Sequence, residues 1–88
     1  MFERRVIINN PTGLHARPAA LFVQAASKFR SKITVYRDSR LADAKSIVGV
    51  MTLGARRGAE LLLRAEGEDA ELAIESLAGL IESGFGET

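Results

Sequence analysis

The apolar residues of this chain change period along its length, and the order of those changes leaves few folds open. Alternation with a period of two marks half-buried strands, whereas recurrence every three to four residues marks helices with one apolar face. From Phe2 to Ile8 the first pattern places Phe2, Arg4, Val6 and Ile8 on one face, and the cluster Asn9-Asn10-Pro11-Thr12-Gly13 ends the strand in a turn. The second pattern runs from Ala16 to about Phe29 through Ala16, Ala19, Ala20, Val23 and Ala26. Pro18 is tolerated there because the first helical turn has no acceptor for the N–H that proline lacks. Lys32 to Arg37 reads as a strand, and Asp38-Ser39-Arg40 as a tight connection into a shorter one near Leu41–Ala44.

Ser46 is placed to cap a brief helix from Ile47 to about Leu53, which Gly54 ends. Glu60 to Ala65 is a fourth strand, and Gly67 turns the chain into a last helix over about Asp69–Ser83 with the stripe Ala70, Ala73, Ile74, Leu77, Leu80 and Ile81. Glu68, Asp69 and Glu71 suit the positive end of that helix. The order is β-α-β-β-α-β-α. Four short strands interleaved with three helices predict an α+β fold: an open-faced sandwich of four antiparallel strands with the helices on one face. The 88 residues form one small domain, 1–88, with no linker or repeat.

Composition narrows the class further. The chain has no cysteine, so neither disulfides nor thiolate metal ligands hold it, and packing must. No apolar run reaches the length of a membrane span and no signal-peptide pattern opens the chain; the lack of cysteine fits a cytoplasmic protein. The net charge of +1 conceals a division. Residues 1–57 hold eleven of the twelve Lys and Arg against three acids, and residues 58–88 hold Arg64 against eight acids. This is either surface charge without a role or a basic field that steers acidic partners. Nucleic acid fits poorly, because the basic residues are scattered, few aromatics are present for stacking, and no nucleic-acid motif occurs.

The one histidine, His15, lies in Thr12-Gly13-Leu14-His15-Ala16-Arg17-Pro18-Ala19-Ala20, where the turn gives way to the first helix. An imidazole is substantially unprotonated near neutral pH and can act as a nucleophile. The unsatisfied amides of Ala16 and Arg17 at the helix start can bind an anion, the Arg17 guanidinium suits phosphate oxygens, and the Thr12 hydroxyl can donate to one. Gly13 permits unusual backbone angles and Pro18 fixes the chain behind the site. A lone histidine with no second ligand is a poor metal site, and no Ser/His/Asp series is present. Spacing alone leaves two readings, a phosphoryl nucleophile and a surface or capping histidine beside an incidental arginine.

The segment Gly13-Leu14-His15-Ala16-Arg17-Pro18-Ala19 resembles the active-site signature of the HPr family, the histidine-containing phosphocarriers of the bacterial phosphoenolpyruvate:sugar phosphotransferase system. Lys45-Ser46-Ile47-Val48-Gly49-Val50-Met51-Thr52-Leu53-Gly54 is similar to the family's second signature, around its regulatory serine. Length and element order agree too, so the resemblance spans essentially the whole chain. It implies that His15 accepts a phosphoryl group on Nδ1 from phospho-enzyme I and donates it to the IIA component of a sugar transporter. Arg17 would balance charge, and the Ala16 and Arg17 amides would hold phosphate oxygens.

The resemblance also implies a stoichiometric carrier, monomeric, without metal or cofactor and without membrane insertion. Ser46, besides capping its helix, would be phosphorylated by HPr kinase/phosphorylase and could then engage catabolite control protein A. Ile47, Val48 and Met51 would dock partners together with Ala20 and Leu21, with Gln24, Lys28 and Arg56 as a polar rim, although core packing of one or more of the three is the ordinary fate of such residues. Val48 is smaller than the methionine or phenylalanine common there, and Gln24 stands where lysine is frequent, which bears on partner preference. Two alternatives remain: a nitrogen-type phosphotransferase carrier that serves no sugar transporter, and a non-catalytic βαββαβ module binding a small ligand.

Overall fold

The computed structural model describes residues 1–87. Strands β1 (Phe2–Ile7), β2 (Lys32–Arg37), β3 (Arg40–Asp43) and β4 (Glu60–Glu66) form one sheet in the order β1-β4-β2-β3. All three pairings are antiparallel, with Arg4 opposite Leu63, Val35 opposite Leu63 and Val35 opposite Ala42. Because side chains alternate across a strand, this register gathers Val6, Ile33, Val35, Ala42, Leu61, Leu63 and Ala65 on one buried face. Helices α1 (Ala16–Ala26), α2 (Ile47–Thr52) and α3 (Ala70–Glu82) cover that face, and α3 lies along β1 and β4. The opposite face is open. It carries exposed polar pairs such as Arg64–Glu3 (2.6 Å), with Arg64 also 5.1 Å above the Tyr36 ring, and Arg5–Glu60 (3.1 Å). The expected α+β sandwich is the observed one.

Several details differ from the expectations. Helix α1 ends at Ala26, not near Phe29; the amide of Ser27 bonds the Val23 carbonyl, and residues 27–30 turn away. Its core stripe is Pro18, Ala19, Phe22 and Ala26, while Ala16 is exposed and Ala20 and Val23 are half-buried. Phe22 is the largest fully buried side chain in the helix, and its burial alone is worth roughly 1.5–3 kcal/mol. Strand β3 starts at Arg40, and Asp38 supplies the left-handed residue (φ 54°) that makes the β2–β3 connection so short. Val6 and Ile8 are buried as expected, but Arg4 sits at the margin, where it pairs with Glu82 at 2.9 Å.

Two polar ties set the helices on the sheet. The Asp69 carboxylate accepts the amides of Arg30 (2.8 Å) and Ser31 (3.0 Å) and the Ser31 hydroxyl, joining the turn after α1 to the start of α3. These bonds, the Ser31 hydroxyl first, hold the Asp69 carboxyl below its ordinary pKa. Lys45 Nζ donates to the Phe29 carbonyl at 2.7 Å and so ties the approach to α2 to the same turn. After α3 the chain makes a 3₁₀ turn, Gly84–Gly86, in which Phe85 is buried with φ 55°. The periodicity of the sequence carried no sign of this turn.

Candidate functional site

The loop that presents His15 is built from the turn cluster outward. Asn10 is buried, and its Nδ2 donates to the Gly13 carbonyl at 2.9 Å. Gly13 has φ 68°, and a Cβ there would stand 2.6 Å from the Ala55 carbonyl oxygen and 2.9 Å from Arg56 Cα. Only glycine fits that approach. Next along the chain, the Leu14 amide donates to the Ala55 carbonyl (2.9 Å) and its side chain is buried. The loop before α1 is therefore clamped to the segment after α2, which holds the first sequence motif against the residues that directly follow the second.

His15 follows as the N-cap of α1, with extended backbone (φ −85°, ψ −168°) and its side chain making no capping bond. The imidazole is half exposed. Its carbonyl accepts the Ala19 amide, and among the described residues the first-turn amides of Ala16 and Arg17 meet no acceptor. The geometry thus separates the histidine from a capping duty and leaves donors free beside it. A cleft of about 480 Å³ opens there, between Pro11, Thr12, His15, Arg17, Pro18 and Leu21 on one side and the Phe85–Glu87 tail on the other.

Glu87 is the residue of this site that sequence reasoning missed. The Thr12 hydroxyl lies 2.8 and 2.9 Å from its two carboxylate oxygens, and Asn10 Nδ2 reaches one of them at 3.4 Å. These bonds, with the nearby His15 adding to them, hold the Glu87 carboxyl below the usual carboxylate range. Oε2 of Glu87 stands 3.9 Å from His15 Nε2, too far for a hydrogen bond but close enough for charge to be felt. Thr12 was expected to donate to phosphate; its single hydroxyl proton is instead engaged by Glu87. No local pattern could have shown a partner 75 positions away.

Ser46 caps α2 as expected. Its backbone is extended (φ −111°, ψ 113°), and its Oγ accepts the Gly49 amide at 3.1 Å. Core packing was the alternative expectation for Ile47, Val48 and Met51, and none of the three takes it. All are exposed, Val48 by 69%, while Val50 of the same helix and Leu53 at its C-terminal cap are buried in the core. Leu21 is exposed on α1, which packs against α2, and it lines the cleft beside His15. Ala20 is half-buried; Gln24, Lys28 and Arg56 are exposed.

Among the described residues, no group of His, Cys, Asp and Glu could hold a metal, and no helix is long and apolar enough to cross a membrane. A hollow of about 400 Å³ on the open sheet face is bordered by Arg5, Tyr36 and Arg64, but both arginines are already paired to Glu60 and Glu3.

Comparison with known proteins agrees with this geometry. A family model described as the PTS HPr component phosphorylation site matches residues 2–83. The phosphocarrier protein HPr of Treponema pallidum is 47% identical over 87 residues, 99% of each chain. The HPr-like protein Crh of Bacillus subtilis is 44% identical over 82 residues, 93% of this chain and 96% of Crh. Among solved structures, HPr of Thermoanaerobacter tengcongensis superposes with a TM-score of 0.97 at 57% identity, covering 100% of this chain and 99% of that one. The same organism's HPr, crystallised as a dimer, matches at 0.80, over 99% of this chain and 100% of that one. The fold, the half-exposed histidine at an uncapped helix start and these matches lead to one conclusion: the chain belongs to the HPr family of phosphotransferase-system phosphocarriers.

Proposed function

We propose that residues 1–88 act as one carrier domain that takes a phosphoryl group onto His15 from phospho-enzyme I and passes it to a IIA component. The observation that carries this reading is the exposed imidazole at the start of α1, with free first-turn amides beside it and its ring clear of capping bonds. In the transfer, the amides of Ala16 and Arg17 receive phosphate oxygens and the Arg17 guanidinium offsets their charge. The cleft is too open to enclose a separate substrate, so catalysis lies in positioning between two proteins, and the chain works stoichiometrically.

The apolar surface of Leu21, Ile47, Val48 and Met51 is the docking face, with Ala20 within it and Gln24, Lys28 and Arg56 at its margin. Such transient handover suits a monomer in the cytoplasm; the dimeric relative makes sedimentation the direct check on the monomer. Ser46, at the N-cap of α2, adjoins that face, and a phosphate there is placed to oppose acidic partners without breaking the helix. HPr kinase/phosphorylase would add it, and catabolite control protein A would read it. The test of the whole reading is a reconstituted relay: phosphoenolpyruvate, enzyme I, this protein, and sugar-type or nitrogen-type IIA proteins. Phosphate arriving on a sugar IIA only when this chain is present supports the proposal. Transfer only to a nitrogen-type IIA moves the chain to the regulatory branch, and no transfer to either refutes it.

A further inference from the structure

We propose that Arg37 is a positioning residue for docking: from the end of β2 its guanidinium closes the C-terminal end of α2, and so holds the helix that presents Ile47, Val48 and Met51 to enzyme I. The inference rests on the docking reading above and gives a residue of the sheet a part in it. Nη1 of Arg37 donates to the Leu53 carbonyl at 2.9 Å, and Leu53 is the C-cap of α2.

Helix α2 depends on such ties. It has six residues, too few to persist as an isolated helix in water. Its first turn is held by Ser46, whose Oγ accepts the Gly49 amide, but its last turn has no basic residue of its own to meet the negative end of the helix. The last carbonyls of a helix find no partner inside it. Here the Leu53 and Gly54 amides turn back to the Val50 and Met51 carbonyls, and the Leu53 carbonyl takes Arg37.

The sheet supplies two cations at that place. Asp38, at φ 54°, makes the β2–β3 connection so short that Arg37 and Arg40 stand opposite each other. Like charges directly opposite on paired strands repel. Among the described residues neither arginine forms an ion pair, so no carboxylate lies close enough to offset that repulsion. The end of α2 offsets it instead: Arg37 is bonded to Leu53, and Nη1 of Arg40 lies 3.8 Å from where a Cβ on Gly54 would stand. Arg37 is half-buried, which partly shields its bond from water.

Arg37→Met tests this, because an aliphatic stem stays while the charge and the donors go. The ¹³Cα shifts of residues 47–53 report how helical α2 is, and rapid mixing with phospho-enzyme I over a range of concentrations separates KM from the rate at saturation. Arg37→Met should move the shifts toward coil and leave the saturating rate unchanged. It should raise KM about three- to tenfold, since a bond from a charged donor is worth roughly tenfold or more and docking feels part of it. Arg37→Lys, which keeps a charge at the helix end, should recover part of the loss. Arg4→Met removes a cation paired with Glu82 at the end of α3 and should leave KM unchanged. Unchanged shifts or an unchanged KM in Arg37→Met overturn the inference, as does a Lys variant no better than Met. An equal rise in Arg4→Met overturns it too, because the basic field alone would then explain the effect. Val48→Asp separates this inference from the reading beneath it: if that variant also leaves KM unchanged, the docking face itself falls and this inference with it.

Discussion

Gly13→Ala is the sharpest perturbation of the site that leaves every functional side chain in place. Two costs add. An alanine at φ 68° pays the left-handed penalty, about 1–2 kcal/mol. Its Cβ would also stand 2.6 Å from the Ala55 carbonyl oxygen and 2.9 Å from Arg56 Cα, and since both are backbone, the loop or the α2–β4 connection must move. Such overpacking costs about 1–3 kcal/mol. The sum, about 2–5 kcal/mol, is a large part of the ~4–13 kcal/mol expected for a domain of this size.

Two other glycines separate the terms. Gly54→Ala meets the dihedral cost alone, since its nearest neighbour is the flexible end of Arg40 at 3.8 Å. Gly79→Ala lies inside α3 with nothing within 4 Å, and should stabilise by about 0.5–1 kcal/mol. Urea unfolding resolves all three. At a slope of about 1 kcal/mol per molar, Gly13→Ala should lower the midpoint by roughly 2–5 M, Gly54→Ala by about 1–2 M, and Gly79→Ala should raise it. Gly13→Ala should also slow phosphoryl acceptance under conditions where it is still folded, because the same clamp places His15. If Gly13→Ala proves no worse than Gly54→Ala, the clamp between the loop before α1 and the segment after α2 is not what holds the site.

Other perturbations separate stability from docking. Ser46→Ala loses the cap on the Gly49 amide and should cost about 1 kcal/mol in urea unfolding, independent of any phosphorylation. The carboxylate of Asp69 has its pKa depressed in the folded protein, so its contribution is complete above the unfolded value near 3.8 and is lost as pH falls through the lower folded value. The stability gap between wild type and Asp69→Asn should therefore be widest at neutral pH and close in acid, as read by unfolding at a series of pH values. Val48→Asp changes an exposed residue and should leave stability within about 0.5 kcal/mol. If the proposed docking face is right, it should nonetheless weaken binding to enzyme I tenfold or more, by calorimetry, because it puts a charge among the exposed apolar residues of α2.

The fold was legible because strand and helix periods alternate cleanly along the chain, and the order of elements leaves one way to bury all the apolar faces. The legible part of the site was local: His15, the free amides and Arg17 share one helix start, and Ser46 announces its own cap. Phe22 escaped because the α1 stripe was read through its small residues, whereas the helix turns so that Phe22 points inward between Ala19 and Ala26. Ile47, Val48 and Met51 could not be placed from sequence, because a six-residue helix with five apolar or small positions has no unique buried face; only contact with the sheet shows that Val50 takes it. The engagement of Thr12 by Glu87 was out of reach for a related reason. It depends on the Phe85 turn folding the tail back across the mouth of α1, and neither residue advertises the other.

The central claim is that His15 carries the phosphoryl group. The most direct measurement is intact mass and peptide mapping after incubation with phosphoenolpyruvate and enzyme I, for wild type and His15→Ala side by side with a known HPr. The wild-type protein should carry one phosphate, stable in alkali, lost in acid and mapped to His15, and His15→Ala none. A wild-type protein that stays unmodified while the known HPr is labelled, or a label that persists in His15→Ala, would contradict that claim.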